Sequence, residues 1–263
     1  MTPPLLVTVA GAVATLTLNR PVAGNTIDLP LARALLDAAI QCDQDASIRC
    51  VVLTGTGKLF CGGGDLGGFS AAGEGISGYL SLLAGTLHMA VSRFMRMEKP
   101  LLVKVNGPTA GAGLSLAISG DVVLAARSAH FSAAYGAVGL TPDGGMSFLL
   151  PRLVGLRKAQ EIILTGRRIG AEEAERIGLV TRTVEDTELD AVVQAQAEAL
   201  AVAATGAVGA ARALLLESYG TGLEAQLERE ARAIAAAGCS ADCKEGVAAF
   251  LERRKPHFSG KER

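Results

Sequence analysis

Two loops of small residues follow apolar runs in this chain. Gly62-Gly63-Gly64-Asp65-Leu66 follows the run 49–54, and the loop from Asn106 to Gly113 follows the run 101–105. Small residues allow the backbone to approach a ligand closely, and N–H groups at the start of a helix favour negative charge. Two such groups that converge on one oxygen form an oxyanion hole. The alternative is that these glycines only turn tight corners.

Two nucleotide-binding patterns are present only in part. Residues 62–67 fit G-x-G-x-x-G, but seven residues separate Thr54 from Gly62 and no acidic residue lies between Glu74 and Glu98. A dinucleotide site needs a direct turn from strand into helix and an acid about 20 residues later. Gly57-Lys58 resembles part of a P-loop but lacks the Ser or Thr that should follow. Both interpretations are rejected.

Single side chains offer further chemistry. Ser115 lies in Gly113-Leu114-Ser115-Leu116-Ala117, similar to a nucleophile elbow, with His130 or His257 as its base. However, an elbow requires the strand to end at the first glycine, and here the strand ends at Val105. A serine that lines a pocket at a helix start is therefore favoured. Asp143 follows Pro142 and is either an acid–base group or a turn cap.

The elements around these loops follow from hydrophobic periodicity. Strict alternation predicts a hairpin of residues 6–9 and 13–18, and Asp28 is a helix N-cap before Pro30. The other predicted strands are 49–54, 101–105, 121–125 and 129–131. A helix is predicted over 77–97 and a short helix from Leu114. From residue 156 onward the pattern is almost wholly helical, with helices from 171 to Gly178 and over 187–203, 206–218, 222–237 and 241–254.

Composition excludes several functional classes. The 263 residues include 25 Lys+Arg and 26 Asp+Glu, a formal net charge of -1, which gives no electrostatic basis for binding nucleic acid or an anionic membrane. Hydrophobic residues make up 49%, which excludes a disordered chain. The sequence has no apolar run of ~18 residues and no basic start typical of a signal peptide. We therefore expect a cytoplasmic protein.

The cysteines do not form a metal-binding pattern. The five cysteines are Cys42, Cys50, Cys61, Cys239 and Cys243, an odd number at spacings that match no zinc motif. The chain has three histidines, which are scattered. We expect buried free thiols and no metal site.

Eight segments in order resemble the crotonase (enoyl-CoA hydratase/isomerase) superfamily over nearly the whole chain. Each segment is weak alone, but their order is specific. The segments are Asn19-Arg20-Pro21 with Asn25, 49–55, 60–66, 99–113, 139–145, 150–155, 164–166 and 171–180. The resemblance is strongest to its single-aspartate isomerase branch, of the ring-opening type that acts in phenylacetate degradation.

The resemblance implies an α/β fold and an acyl-CoA substrate. The implied fold is a crotonase-like spiral of ββα units over residues 1–195, with a helical oligomerisation region over 196–263 that builds a homotrimer or a dimer of trimers. Coenzyme A is then part of the substrate, and no resident cofactor is expected. The implied oxyanion donors are the N–H groups of Gly64 and Ala112. The predicted substrate-binding residues are Cys61 and Gly62, whose backbone should meet the adenine, Asp65, Leu66, Ser115 and Tyr135, and, from a neighbouring subunit's tail, Phe258 and Lys261 near the phosphates. For Asp65 the alternative is a helix cap next to the loop.

The departures from the family pattern concern the reaction. Family hydratases use two glutamates, whose aligned positions here hold Ser115 and Tyr135. Asp143 is the remaining acid near that face, and one base suffices for double-bond migration, so the prediction is an enoyl-CoA isomerase with Asp143 as proton shuttle. An enoyl-CoA hydratase is the nearest alternative. A serine hydrolase that uses Ser115 and a non-catalytic acyl-CoA binder are remoter ones. The residues that select the acyl group are expected between Phe69 and Gly85.

Overall fold

Apolar strands form the middle of a largely parallel sheet in this computed structural model, which describes residues 2–260; only the β1–β2 pair of this sheet, within the described residues, is antiparallel. The sheet has six strands in the order β1-β2-β3-β4-β6-β9, and a second sheet has the order β5-β7-β8. The strands are β1 (Leu5–Ala10), β2 (Val13–Leu18), β3 (Cys50–Gly55), β4 (Leu101–Val105), β5 (Thr109–Ala110), β6 (Val122–Ala126), β7 (His130–Ser132), β8 (Ile169–Gly170) and β9 (Arg182–Val184).

Helices cover the large sheet and continue beyond it. They are α1 (Leu29–Gln44), α2 (Leu66–Ala72), α3 (Ile76–Arg96), α4 (Ala112–Ala117), α5 (Met146–Val154), α6 (Leu156–Thr165), α7 (Ala171–Arg176), α8 (Leu189–Ala201), α9 (Thr205–Ser218), α10 (Leu223–Gly238) and α11 (Ala241–Leu251). No single helix of residues 2–260 is both long and apolar enough to cross a membrane. The pair α8 and α9 reaches that length and composition only when taken together, across a 101° bend.

The parallel pairing of β3 with β4 places the two small-residue loops side by side. Val51, Val52 and Leu53 pair in parallel with Leu101, Leu102 and Val103, and all six are buried. Strands buried on both faces are continuous apolar runs, as both of these are. Because parallel strands end at the same edge of a sheet, the loops after Gly55 and after Val105 both begin at that edge.

Most predicted elements agree with the structure, and the differences concern short elements, among them the unpredicted strand β5. The hairpin pairs Leu5–Ala10 with Val13–Leu18, and the Asp28 carboxylate accepts a hydrogen bond from Leu31 N, as an N-cap should. The second short helix begins at Ala112, two residues before the predicted start. Helices α2 and α5 were not predicted, because glycines interrupt the periodicity of one and Pro151 lies inside the other. The segment after 156 also contains the short strands β8 and β9.

The last two helices carry an apolar surface that the chain itself does not cover. Helix α10 has no buried residue. The large apolar side chains of α10 and α11 that are more than half exposed are Leu223, Leu227, Ile234, Val247, Phe250 and Leu251. The predicted division at residue 195 falls inside α8, and it remains a prediction.

One buried arginine joins α9 to the end of α3. The Arg212 side chain is 8% exposed, and its guanidinium donates to the carbonyl oxygens of Phe94, Met97 and Lys99. It also lies 2.8 Å from the Asp121 carboxylate. Since the last carbonyls of a helix have no partner within the helix, this side chain satisfies groups that would otherwise be buried without one.

Replacing Arg212 should therefore destabilise the fold. We expect Arg212→Met to lower the free energy of unfolding by about 3–5 kcal/mol, because three carbonyl oxygens lose a donor and the Asp121 carboxylate loses its cation while keeping the hydrogen bond from Leu101 N. Urea-induced unfolding measures this loss. Arg232→Met is the matched control, since Arg232 is 81% exposed and pairs only with Glu228. Equal losses in the two variants would contradict the structural role of Arg212.

Candidate active site

The two loops pack backbone against backbone. A Cβ atom added to Gly113 would lie 2.5 Å from the carbonyl oxygen of Cys61, and one added to Gly107 would lie 2.0 Å from that of Lys58. Such distances are far inside van der Waals contact, so only glycine fits at either position. The start of α4 is therefore held directly against the first loop.

Two asparagines fix the first loop from opposite sides. The Asn25 amide is completely buried and donates to the carbonyls of Thr56 and Leu59, at 2.9 Å each. Asn106, from the second loop, donates to the Gly57 carbonyl and accepts from Gly55 N. These bonds satisfy loop carbonyls and hold both loops in one arrangement.

The loops present two N–H groups without acceptors. Among residues 2–260, neither Gly64 N nor Ala112 N donates a hydrogen bond, whereas the neighbouring Asp65 N donates to Ile27 O and Gly111 N to Ser132 O. Ala112 is 7% exposed, and both Gly64 and Ala112 line one cavity. Unpaired N–H groups beside a cavity can bind an oxygen that becomes negatively charged.

That cavity is largely apolar and has a volume of about 360 Å³, within the range of small-molecule sites. Its apolar wall comes from α2, α3 and the segment before Asp143. The lining residues are Ile27, Gly62, Gly63, Gly64, Leu66, Phe69, Leu80, Leu83, Ala84, Leu87, Gly111, Ala112, Ala134, Tyr135, Ala137, Val138, Leu140, Thr141 and Asp143. Asp143 is the one carboxylate among them. The Phe69 ring lies directly against Gly64, since a Cβ there would be 2.5 Å from the ring.

A hydrogen bond from Tyr135 holds the Asp143 carboxylate at this cavity. Tyr135 OH donates to Asp143 Oδ1 at 2.6 Å. Burial, and then the negative charge of Asp143, raise the pKa of the Tyr135 phenol, so this group stays protonated and remains a donor. Oδ2 accepts no hydrogen bond from the rest of residues 2–260. The turn-cap interpretation is not observed, because no backbone N–H of residues 2–260 donates to this carboxylate.

Ser115 lies behind Tyr135 and is completely buried. Its hydroxyl donates to the Asp143 carbonyl at 2.8 Å and lies 3.0 Å from Tyr135 OH. No histidine of residues 2–260 hydrogen-bonds to it. A nucleophilic serine needs a base within hydrogen-bond reach and access to substrate, so this geometry does not fit a serine hydrolase.

The sequence and fold match proteins of one family along nearly the whole chain. The model of the enoyl-CoA hydratase/isomerase family matches residues 8–261. The chain belongs to this family. The Escherichia coli 1,2-epoxyphenylacetyl-CoA isomerase is 38% identical over 95% of each chain. A Rhodobacter capsulatus protein named "probable enoyl-CoA hydratase" is 38% identical over 96% of each chain. The crystal structure of a Polaromonas enoyl-CoA hydratase superposes with a TM-score of 0.93, with 31% identity over 97% of this chain and 99% of that one.

The crotonase fold inferred from the sequence is thus confirmed, and several residues predicted for the site meet at one place. Gly62, Gly64, Leu66, Ala112, Tyr135 and Asp143 all line the cavity. The relatives' names divide between isomerase and hydratase, so membership in the enoyl-CoA hydratase/isomerase family does not by itself define the reaction.

The side chains of two predicted site residues, Cys61 and Asp65, make structural contacts, and neither residue lines the cavity. The predicted contact of the Cys61 backbone with the adenine stays a prediction. The Cys61 side chain is completely buried, its thiol contacts Asn25 O, and burial raises the pKa of this thiol to about 12. Asp65 caps α2 by accepting from Gly67 N and Gly68 N, as the helix-cap interpretation of this carboxylate requires. Arg20 donates to Asp65 at 2.8 Å, which lowers the pKa of that carboxyl.

Of the two tail residues predicted near the phosphates, the structure describes Phe258, which does not line this cavity. Phe258 packs near Gly246 of α11, and its carbonyl accepts from Arg49 at 2.9 Å. Lys261 lies outside the described residues. A role for either in binding a neighbouring subunit's ligand stays a prediction.

Sequence reasoning missed one polar residue beside Asp143. His88, on α3, places Nε2 3.7 Å from Asp143 Oδ2 and accepts from Gly144 N at 2.9 Å. His88 and Leu87 are adjacent in sequence, and Leu87 belongs to the apolar stripe of α3 that lines the cavity. The position of His88 next to a cavity-lining residue was the signal available in the sequence. It did not show that His88 would contact the loop at Gly144.

Proposed function

We propose that this protein is an acyl-CoA enzyme that migrates the double bond of an enoyl-CoA thioester. The observation that carries the proposal is the single carboxylate, Asp143, at an apolar cavity that also presents the free N–H groups of Gly64 and Ala112. An apolar wall suits a hydrocarbon acyl group, and the two N–H groups suit the thioester oxygen.

The proposed reaction needs one base and no added reactant. The thioester oxygen accepts hydrogen bonds from Gly64 N and Ala112 N, which makes a proton on C2 acidic. Asp143 removes that proton, and the electron pair of the broken C–H bond passes into an enolate. The protonated Asp143 then returns the proton to C4, so the double bond moves from C3 to C2. Oδ2 is the oxygen for this exchange, because Tyr135 occupies Oδ1.

Hydration is the second candidate function. The names of relatives favour it, whereas the side chains at the cavity do not. Family hydratases position water with two glutamates, whereas here Ser115 is enclosed and Tyr135 is a phenol held to Asp143. Tyr135 as a protonated donor cannot act as a second base. A side-by-side assay of 3-enoyl-CoA isomerisation and 2-enoyl-CoA hydration tests the choice.

Asp143→Asn should remove the shuttle and leave the site's shape. We expect kcat for 3-enoyl-CoA to fall by roughly 10²–10⁴-fold, the contribution typical of general acid–base catalysis. Ser115→Ala is the matched control and should lose much less, because its hydroxyl contacts Asp143 only through the carbonyl. Normal turnover by a folded Asp143→Asn protein would contradict the mechanism. Tight binding of acyl-CoA with no exchange of its C2 proton in the unaltered protein would indicate a binder.

Ala112→Pro should remove one oxyanion donor. Ala112 is the first residue of α4, a position where proline is accepted because its missing N–H has no partner in the helix. We expect turnover to fall at least about a hundredfold, corresponding to about 2.7–4 kcal/mol of transition-state stabilisation. Ala112→Gly keeps the N–H and should retain most activity. Circular dichroism and binding of free CoA establish that both variants fold, and unchanged turnover in Ala112→Pro would exclude this donor.

The apolar face of α10 and α11 supports assembly into a trimer or a dimer of trimers. Side chains such as Ile234 and Phe250 are 75% and 83% exposed, and contiguous apolar surface of this kind marks interfaces. Light scattering should therefore give three or six times the chain mass. Ile234→Glu with Phe250→Glu should lower that mass, whereas Val22→Glu, at an exposed residue of the short 3-10 helix Pro21–Ala23, should not. A monomeric mass at micromolar concentration would contradict assembly.

A further inference from the structure

Asp143 lies between two cavities that differ in character. On one side is the apolar acyl cavity, and on the other is a more open cavity of about 620 Å³ lined by His88, Gly144, Ser92, Arg96 and neighbouring residues. The His88 side chain is 48% exposed and that of Asp143 is 28% exposed. His88 thus lies beside the carboxylate and lines the more open cavity.

The two oxygens of Asp143 face different groups. Oδ1 accepts from Tyr135 OH at 2.6 Å, and Oδ2 lies 3.7 Å from His88 Nε2. Tyr135 cannot take a proton from Asp143, because its oxygen already carries one. Since the Asp143 side chain is itself 28% exposed, a proton that it has removed from substrate has three exits: back to the substrate, directly to solvent, or toward His88.

The contact of His88 with Gly144 defines its tautomer. Nε2 accepts from Gly144 N–H at 2.9 Å, so Nε2 carries a lone pair and the imidazole proton is on Nδ1. This lone pair is the one acceptor site of the neutral ring and Gly144 N–H occupies it, so Nε2 can accept from a protonated carboxyl group only after it turns from Gly144 N toward Asp143. The separation of 3.7 Å exceeds a hydrogen bond by roughly 0.7–1.0 Å. A rotation of this half-exposed side chain closes that gap, as catalytic contacts commonly do when substrate is bound.

We propose that His88 is a proton relay that connects Asp143 to water in the open cavity. Protonated Asp143 gives its proton from Oδ2 to His88 Nε2 while Nδ1 releases its proton to water, so the imidazole stays neutral and only its tautomer changes. The reverse passage brings a water proton to Asp143 and restores the starting tautomer. The relay rests on the proposed function, since it requires Asp143 to carry the substrate proton.

Hydrogen–deuterium exchange at the substrate carbon atoms distinguishes the proposed relay from the isomerisation itself. In D₂O, a proton that returns from Asp143 directly leaves the product of 3-enoyl-CoA isomerisation with protium at C4, whereas the relay introduces deuterium. Butyryl-CoA reports the same step without any double bond, because its C2 proton exchanges only if Asp143 trades its proton with solvent. NMR measures both, and the isomerisation rate is recorded in parallel.

His88→Ala should lower exchange relative to isomerisation by about tenfold or more, since the acid–base step to water is removed. His88→Gln keeps an oxygen that can accept from Gly144 N but cannot pass a proton on, so it should show the same loss. Ser92→Ala, an exposed residue of the same cavity, is the control and should retain the unaltered ratio. Thermal unfolding establishes that all three variants are folded.

The outcomes distinguish the relay from the isomerase. Unchanged exchange in folded His88→Ala overturns the relay while isomerisation stands. Normal exchange in His88→Gln with reduced exchange in His88→Ala also overturns it, because His88 would then only anchor Gly144. If the unaltered protein exchanges the C2 proton of butyryl-CoA but does not isomerise 3-enoyl-CoA, and if this exchange falls in both His88 variants, the relay is supported and the proposed isomerase is overturned. If the unaltered protein neither isomerises nor exchanges, both proposals are overturned.

Discussion

The site depends on the contact between two backbones. Gly113 and Gly107 bring the second loop so close to the first that no side chain could stand between them. This contact leaves the N–H groups of Gly64 and Ala112 beside one cavity with no acceptor in the described chain. The cost of orienting these dipoles is met when the chain folds, so none is incurred when charge develops on a bound oxygen. Neighbouring parallel strands make the contact possible, since they start both loops at one edge of the sheet.

The polar groups around that contact form a short chain with one carboxylate. Ser115 contacts Tyr135, Tyr135 donates to Asp143, and Asp143 faces His88. The exposure of these side chains differs. Ser115 is completely buried, Asp143 lines the acyl cavity, and His88 is about half exposed to water. A buried polar network is stable only when its donors and acceptors are matched. The raised pKa of the Tyr135 phenol meets that condition, because the phenol remains a donor next to a carboxylate.

Local sequence patterns predicted β1 to β4, β6, β7 and most helices, because each has a clear period or a cap such as Asp28, whereas the short strands β5, β8 and β9 have no period long enough to detect. The roles assigned to Gly64 and Ala112 came from family resemblance, since no pattern shows which N–H groups will lack acceptors. The same limit applies to Ser115 and His88. An exposed turn of α3 and a loop 56 residues away must be folded together before their contact exists. Helix α5 also escaped prediction, because tertiary packing outweighs the proline inside it.

Helix α2 covers part of the first loop from the protein surface. None of its seven residues is buried, yet Phe69 lies against Gly64 and meets Tyr79 of α3 edge to face, with ring centroids 6.1 Å apart. The wall of the cavity and the position of its two free N–H groups thus depend on separate contacts, those of α2 and α3 side chains in the first case and those of Gly107 and Gly113 in the second.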